Sequence, residues 1–326
     1  MSNDFATTSD LDIKDHQETV QRIEALRKRR PTEENPAVLI PEYEEIIKKE
    51  PQLSEVRMGL GALYAKLGQK EKALEVYQQA LLLEPNSNMI KMNMANTMGG
   101  LKRFDEGLAI LEDALKKVPT DVSLQSSYLK MLMDTKQVEK AIQKGEIWVS
   151  QNPNPDIKAL LGIALFRHKN IAQAMPLLLD SLKDGIPREL VHETIANAYR
   201  LKEDTSKAII FFQKEHERFP NPILLGKIGA LQAKEKQWQE ASVSFSGYFA
   251  SFPTQNTHRH SYAQVLFNLK EYQRAEKILQ PLLNREAPTP RALLLQANIM
   301  AKTGRMEEGK ALFKKAKSLR ESLSPQ

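Results

Sequence analysis

Apolar residues recur along the chain at helical spacing, in stretches that mostly end at a proline. The prolines that close these stretches are Pro85, Pro119, Pro153, Pro220 and Pro253, at gaps of 34, 34, 67 and 33 residues. The 67-residue gap contains Pro187, one place late in the same frame, so a step of 33 or 34 residues runs throughout. A fixed period of this length indicates tandem structural repeats.

Small residues occupy two fixed positions in these repeats. When the repeats begin at Ser54, Asn88, Val122, Pro155, Glu189, Pro222, Asn256 and Pro290, position 8 holds Gly61, Ala95, Leu129, Gly162, Ala196, Gly229, Ala263 and Ala297, and position 20 holds Ala73, Gly107, Ala141, Ala174, Ala208, Ala241, Ala275 and Gly309. Antiparallel helices cross closely only where the side chains at the crossing are small. The proline at position 32 then ends the second helix. Each repeat is therefore predicted to be a helix, a turn and a second helix.

The first of these repeats matches a known family motif. Residues 54–87 place Leu60, Gly61, Tyr64, Gly68, Ala73, Tyr77, Ala80 and Pro85 at positions 7, 8, 11, 15, 20, 24, 27 and 32. This segment resembles the tetratricopeptide repeat at every signature position. The resemblance implies an all-α fold, a right-handed superhelical solenoid of antiparallel helix pairs, with about eight units plus a degenerate N-terminal unit.

The repeat frame also predicts the domain organisation. Residues 1–19 are expected to form a disordered N-terminal tail, because they are rich in Ser, Thr and Asp. Residues 20–53 are interpreted as a degenerate repeat that caps the array, since Pro51 falls at position 32. Eight tandem repeats are expected over residues 54–321, followed by a C-terminal tail over residues 322–326.

Several residues depart from the repeat pattern. Gly145 and Trp148 reverse the usual order of a large and a small residue, which is interpreted as a volume-conserving exchange. Glu215 stands where the family has Ala, so either its helix rotates or the carboxylate finds a cation. Pro281 is expected to kink the second helix of repeat seven, over residues 273–286, and Pro176 to begin a late second helix in repeat four.

Composition narrows the functional classes. The chain has no cysteine, which excludes disulfides, thiolate metal sites and thiol nucleophiles. It has no secretion signal and no apolar run near the ~20 residues that cross a bilayer, so a cytoplasmic protein without a membrane partner is expected. The net charge of +6 is spread along the chain, so no nucleic-acid partner is expected.

The sequence contains no motif for catalysis or for a cofactor. It lacks the phosphate-loop string, HExxH and GxSxG, and Gly59-Leu60-Gly61 opens no dinucleotide loop because Tyr64 replaces the third glycine. Its six histidines are scattered, so no metal site is expected. The chain is predicted not to be an enzyme and to bind no cofactor.

The resemblance implies a binding groove lined by positions 2, 5, 6, 9, 12 and 13 of the first helices. The candidate groove residues are Asn93, Asn96, Lys130, Phe166, Arg167, Asn197, Arg200, Lys227, Lys234, His260, Gln264 and Phe267. Asparagine can donate to and accept from a peptide backbone, and the later residues are net cationic with two aromatic rings. An acidic, partly apolar protein or peptide segment is therefore the predicted partner.

The predicted function is that of an adaptor or scaffold that holds a partner segment in this groove. An alternative is a substrate-recruiting subunit that acts in trans for a glycosyltransferase or sulfotransferase. Self-association through the ends of the array is a further open alternative.

Overall fold

The computed structural model describes residues 8–29, 35–186 and 188–322. Within these ranges the chain forms eighteen α-helices and one short 3-10 helix, and it forms no strands. Two compact units can be distinguished, residues 1–177 and residues 178–326. The prediction of an all-α array of helix pairs is confirmed.

The helices of the first unit begin with two that precede the repeats. They are α1 (Thr8–Arg29), α2 (Ile40–Lys49), α3 (Ser54–Lys66), α4 (Lys70–Leu83), α5 (Asn88–Gly100), α6 (Phe104–Lys117), α7 (Val122–Asp134), α8 (Val138–Gln151), α9 (Pro155–Arg167) and most of α10 (Ile171–Asp180), with the 3-10 helix at Pro36–Leu39. The second unit contains α11 (Val191–Leu201), α12 (Thr205–Arg218), α13 (Pro222–Lys234), α14 (Trp238–Ser251), α15 (Arg259–Asn268), α16 (Tyr272–Leu283), α17 (Pro290–Lys302) and α18 (Met306–Ser322).

From α3 onward, each repeat contributes an A helix and a B helix. The A helices are the odd-numbered helices α3 to α17, and the B helices are the even-numbered helices α4 to α18. Every B helix begins at position 17 of its repeat, from Lys70 in the first to Met306 in the eighth. The sixteen helices therefore account for eight repeats, as the sequence predicted.

The turn between the A helix and the B helix has the same backbone conformation in all eight repeats. Position 15 is left-handed in each, with φ between 59° and 85°, and it is occupied by Gly68, Lys102, Lys136, Lys169, Glu203, Lys236, Lys270 and Gly304. The amide that follows donates to the carbonyl five residues earlier, as Gln69 does to Tyr64 at 2.9 Å. This is the hydrogen bond of a Schellman helix end, which satisfies a terminal carbonyl.

The small residues at positions 8 and 20 are buried at the helix crossings. All sixteen residues at these positions, fifteen small ones and Leu129, lie in the core, and a Cβ added at Gly61 would come within 2.6 Å of the Tyr77 ring. The exchange of Gly145 and Trp148 also fits the packing. Trp148 is buried edge-to-face against Tyr128, with ring centroids 6.1 Å apart, while Gly145 leaves room for Leu161.

The N-terminal segment covers the first repeat. Ile23 and Leu26 of α1 and Tyr43 of α2 are buried in one cluster with Leu60 and other residues of repeat one. The structure differs from the predicted tail over residues 1–19, because α1 begins at Thr8. Thr19, Ile23 and Leu26 lie on one helical face, and burial of that face stabilises the helix. Residues 1–7 and 323–326, which belong to the two predicted tails, lie outside the described residues.

Two B helices contain an internal proline. The helix of repeat seven, α16, ends at Leu283 rather than at residue 286, two residues after Pro281. Proline removes a backbone donor from the helix interior, which accounts for the early end. The expectation that Pro176 begins a late helix was wrong, because α10 starts at Ile171, five residues before it.

Candidate functional site

Within each unit the A helices form a continuous face. Neighbouring A helices contact one another directly, as α5 does α7 and α7 does α9 in the first unit, and as α13 does α15 in the second. The B helices α4, α6, α8, α12, α14 and α16 instead contact the A helices on either side of them. The lining positions predicted from the resemblance therefore lie on one surface in each unit, here called the A face.

In the first unit, side chains link three successive A helices across this face. The amide of Asn96 donates to the hydroxyl of Ser127 at 3.4 Å, and Arg167 donates to the carbonyl of Met133 at 3.4 Å. Both distances are at the long end for hydrogen bonds, so these contacts between neighbouring A helices are weak. Lys130 is exposed between them. Asn93 and Phe166 are half-buried.

In the second unit, two of the candidate residues are engaged with their own chain. The Nζ atom of Lys227 lies 2.5 Å from Oε1 of Glu193 and 5.6 Å from the centre of the Phe212 ring. The amide of Asn197 donates to the backbone carbonyl of Glu193 at 2.9 Å. Lys227, predicted as a cation of the groove, is thus paired within its own chain, and its availability to a partner stays a prediction. Glu193 stands at lining position 5 of repeat five and was missed.

His260 is a half-buried hydrogen-bonding group of the A face. Burial lowers its pKa below the usual 6.5, and the positive charge of Arg291 acts in the same direction, while a hydrogen bond to the backbone of Arg291 opposes them. The imidazole is therefore neutral near pH 7 and adds no charge to this face. Gln264 is also half-buried, and Phe267 packs its ring 5.5 Å from that of Tyr272.

The two units differ in the charge of their A faces. In the second unit the lining positions carry five cations, Arg200, Lys227, Lys234, Arg291 and Lys302, against the single carboxylate of Glu193. In the first unit they carry three cations, Lys66, Lys130 and Arg167, against Glu55, Asp134 and Asp156. The second unit alone thus presents a net cationic A face. Arg291 and Lys302 belong to it and were missed, although the same position rule identifies them.

Comparison with known proteins agrees with the repeat frame. The model of the tetratricopeptide repeat family matches residues 54–87. Residues 54–87 are thus a tetratricopeptide repeat, and the eight helix pairs share the fold of tetratricopeptide repeat proteins. No curated protein matches the sequence significantly.

Solved tetratricopeptide repeat structures share the fold at low identity. PilF of Pseudomonas aeruginosa is 18% identical, covering 65% of this chain and 97% of its own, with a TM-score of 0.54. Cut9, solved with Hcn1 as an APC/C hetero-tetramer, is 14% identical, covering 96% of this chain and 57% of its own, with a TM-score of 0.55. Human IFIT1, solved as a dimer with PPP-AAAA, is 17% identical, covering 89% of this chain and 70% of its own, with a TM-score of 0.54. These likenesses concern the fold alone.

Tetratricopeptide repeat five contains a buried carboxylate beside a buried imidazole. Glu215 is 2% exposed, and its Oε1 atom accepts from the backbone amide of Leu190 at 2.5 Å. Its Oε2 atom lies 3.5 Å from Nδ1 of His192, whose side chain is also buried. Glu215 thus stays in the core, where the Leu190 amide satisfies one carboxylate oxygen and the other oxygen faces the His192 ring without a hydrogen bond.

The described part of this protein brings together no group of three or more side chains suited to hold a metal ion. Among the same residues, no helix combines the length and apolar character that a membrane span requires.

Proposed function

We propose that this tetratricopeptide repeat protein is a non-catalytic scaffold, and that the A face of its second unit binds an acidic, partly apolar segment of a partner protein. The observation that carries the proposal is the charge of that face, with five cations against one carboxylate. Complementary charge steers association and selects the partner, and the exposed rim cations contribute mainly to those effects.

Three cations of this face have no ion-pair partner among the described residues, and their arrangement supports an extended ligand. Arg200, Lys234 and Lys302 are exposed and stand at positions 12 or 13 of α11, α13 and α17, so they recur at the same end of different A helices. Gln264 and Phe267, on the intervening α15, offer an amide and an aromatic ring between them. A segment that crosses successive A helices would meet cations, an amide and a ring in turn.

The test is affinity capture with the full chain from a cytosolic extract treated with nuclease. A charge-reversed variant, Arg200→Glu with Lys234→Glu and Arg291→Glu, is run beside the wild type. A matched control carries the same change of charge on B helices, Lys277→Glu with Lys314→Glu and Lys317→Glu. All six side chains are exposed, so both variants should fold.

The expected result is a partner retained by the wild type and the control but lost from the A-face variant, with binding mapped to an acidic segment. Raising the salt concentration should weaken that binding, because the contacting charges are solvent-exposed. Equal retention by all three proteins would contradict the proposal, and so would loss on nuclease treatment. A captured glycosyltransferase or sulfotransferase would favour the recruiting-subunit alternative.

A further inference from the structure

A second surface of the second unit has the chemistry of a binding site. A cleft of about 450 Å³ lies between the end of α10, with the turn that follows it, and the B helix α12. Leu179, Leu182 and Phe211 form its apolar part. The cleft lies against B helices and contains none of the A-face lining residues, so it is distinct from the surface proposed above.

The cleft is lined by a buried histidine that faces a buried carboxylate. His192 lines the cleft and is only 6% exposed. Its Nδ1 atom is turned to Oε2 of Glu215 at 3.5 Å, and neither atom has a hydrogen-bond partner within the described residues. Glu215 is itself fixed by the Leu190 amide. With Nδ1 directed at the carboxylate, Nε2 is the ring nitrogen left to meet a ligand.

Cations surround this imidazole. Lys214 and Arg218 stand one turn apart on α12 and both line the cleft. The Nζ atom of Lys214 lies over the ring of Phe211, 5.3 Å from its centre, so the ring holds this cation beside the apolar part of the cleft. Lys183 lines the opposite side, and Glu217 is the one carboxylate among the lining residues.

The first unit shows what occupies the equivalent cleft there. Between α6 and α8, a cleft of about 390 Å³ is lined by Leu115 and Lys116, which hold the repeat positions that Leu182 and Lys183 hold in the second unit. A carboxylate of the same chain, Glu112, also lines it.

Glu112 is strongly bound in that cleft. It accepts a hydrogen bond from the hydroxyl of Tyr128 and another from Nζ of Lys140 at 3.1 Å. The Tyr128 hydrogen bond, followed by contributions from Lys140 and Lys116, lowers the pKa of Glu112. The first unit therefore supplies its own anion to this position. In the second unit the corresponding residue is Leu179. Asp180 pairs with Lys183 at 2.7 Å, so Lys214 and Arg218 are the lining cations that have no ion-pair partner among the described residues.

We propose that the cleft between α10 and α12 binds an acidic segment of a partner protein, with a carboxylate of that segment placed between Lys214 and Arg218 and within reach of His192. An apolar side chain of the same segment packs on Leu179 and Phe211. The carboxylate takes the role that Glu112 plays in the first unit. This site is independent of the cationic A face, and one partner can occupy both surfaces or two partners can occupy them separately.

The experiment supplies the missing carboxylate from within the chain. In Leu179→Glu, a glutamate stands where the first unit has Glu112, so it should compete with the ligand. Leu179→Gln is the matched uncharged control, and Leu179 is 41% exposed, so both variants should fold. Random peptides displayed on phage are selected on the full wild-type chain, and the Kd of each recovered acidic peptide is measured by fluorescence anisotropy.

The expected result is at least one acidic peptide whose Kd rises about tenfold or more in Leu179→Glu and in Lys214→Glu with Arg218→Glu, but by less than about threefold in Leu179→Gln. The A-face variant should bind that peptide as the wild type does. This last comparison distinguishes a failure of the cleft proposal from a failure of the proposed function, because binding at either surface can be measured when binding at the other is lost.

Three outcomes would overturn the cleft proposal. They are the recovery of no acidic peptide, equal binding by Leu179→Glu and wild type, and loss of binding in the A-face variant alone. A peptide in which phosphoserine replaces the critical acidic residue tests the source of the anion. Binding at least about tenfold tighter than that of the carboxylate peptide would show that the cleft selects phosphate rather than Asp or Glu.

Discussion

Lys227 and Glu193 form an ion pair between neighbouring A helices of the second unit, with Nζ and Oε1 2.5 Å apart. The two residues are 34 positions apart in the chain, which is about the length of one repeat. The pair therefore depends on how α11 and α13 are aligned along each other. The carboxylate is largely shielded, with 19% of its side chain exposed, whereas the lysine is 38% exposed.

A double-mutant cycle should detect this pair as a modest coupling. We expect Glu193→Gln, Lys227→Gln and their combination to give an interaction energy of about 0.5–1 kcal/mol in urea unfolding, since one partner is substantially solvated. High salt should reduce it. Coupling indistinguishable from zero at low salt would show that the pair contributes nothing to stability.

The shared left-handed turn at position 15 leads to a second prediction. Lys136 has φ of 61° and Gly68 has φ of 77°, and only glycine adopts this region without a steric cost. We expect Lys136→Gly to raise the free energy of unfolding by up to about 1 kcal/mol, and Gly68→Ala to lower it by about 1 kcal/mol.

The measurement is thermal and urea unfolding of each variant beside the wild type, with far-ultraviolet circular dichroism. Lys158→Gly, in the interior of α9, is the matched control and should destabilise the protein because glycine is a poor helix former. If Lys136→Gly destabilises as Lys158→Gly does, the left-handed turn at position 15 carries no strain in this protein.

The repeat frame was fully predictable from the sequence, and the pairing of polar groups was not. Gly or Ala at fifteen of the sixteen positions, such as Gly61 and Ala73, follows from a steric rule for the helix crossing. The ion pair of Lys227 depends on how one A helix sits against the next, and no rule for a single repeat contains that information. The charged residues of the A face are an intermediate case. Arg291 and Lys302 can be identified from the position rule alone, whereas their interactions cannot.

The environment of Glu215 shows the same limit. The sequence identified a carboxylate at a position that normally holds alanine, so its burial cost was foreseeable. The donor that offsets part of this cost, the Leu190 amide, and the ring that faces the carboxylate, His192, stand near the start of the same repeat. Leu190 has φ of 68°, and that turn was not predicted because leucine is rarely left-handed.

Close packing at position 8 gives a third prediction. A Cβ on Gly61 would lie 2.6 Å from Cε1 of Tyr77, a ring that is 2% exposed and cannot move aside. A Cβ on Gly247, in α14, would meet only the end of the Leu225 side chain, at 2.8 Å. We expect Gly61→Ala to destabilise the protein by about 1–3 kcal/mol through overpacking.

Gly247→Ala is the matched control for this effect. Because Leu225 can change rotamer and alanine favours the helix, we expect a change between zero and a gain of about 1 kcal/mol. Both variants are compared by urea unfolding. Equal stability of Gly61→Ala and wild type would mean that the α3 and α4 crossing can widen without cost.

The histidines at the start of α15 predict a dependence of stability on pH. Burial lowers the pKa values of both His258 and His260 below the 6.5 of the unfolded chain. Between the folded and unfolded pKa values the unfolded state therefore binds more protons, so the contribution of the two histidines to stability is complete above about pH 6.5 and is lost as the pH falls below it.

Replacing both residues with glutamine should leave the slope of unfolding free energy against pH unchanged above pH 7 and should flatten it between about pH 6.5 and 5. The measurement is urea unfolding of the wild type and the double variant across this range. Identical slopes in the acidic window would show that the fold does not lower the pKa of either ring, and His260 would then gain its charge near pH 6.5 as a solvated histidine does.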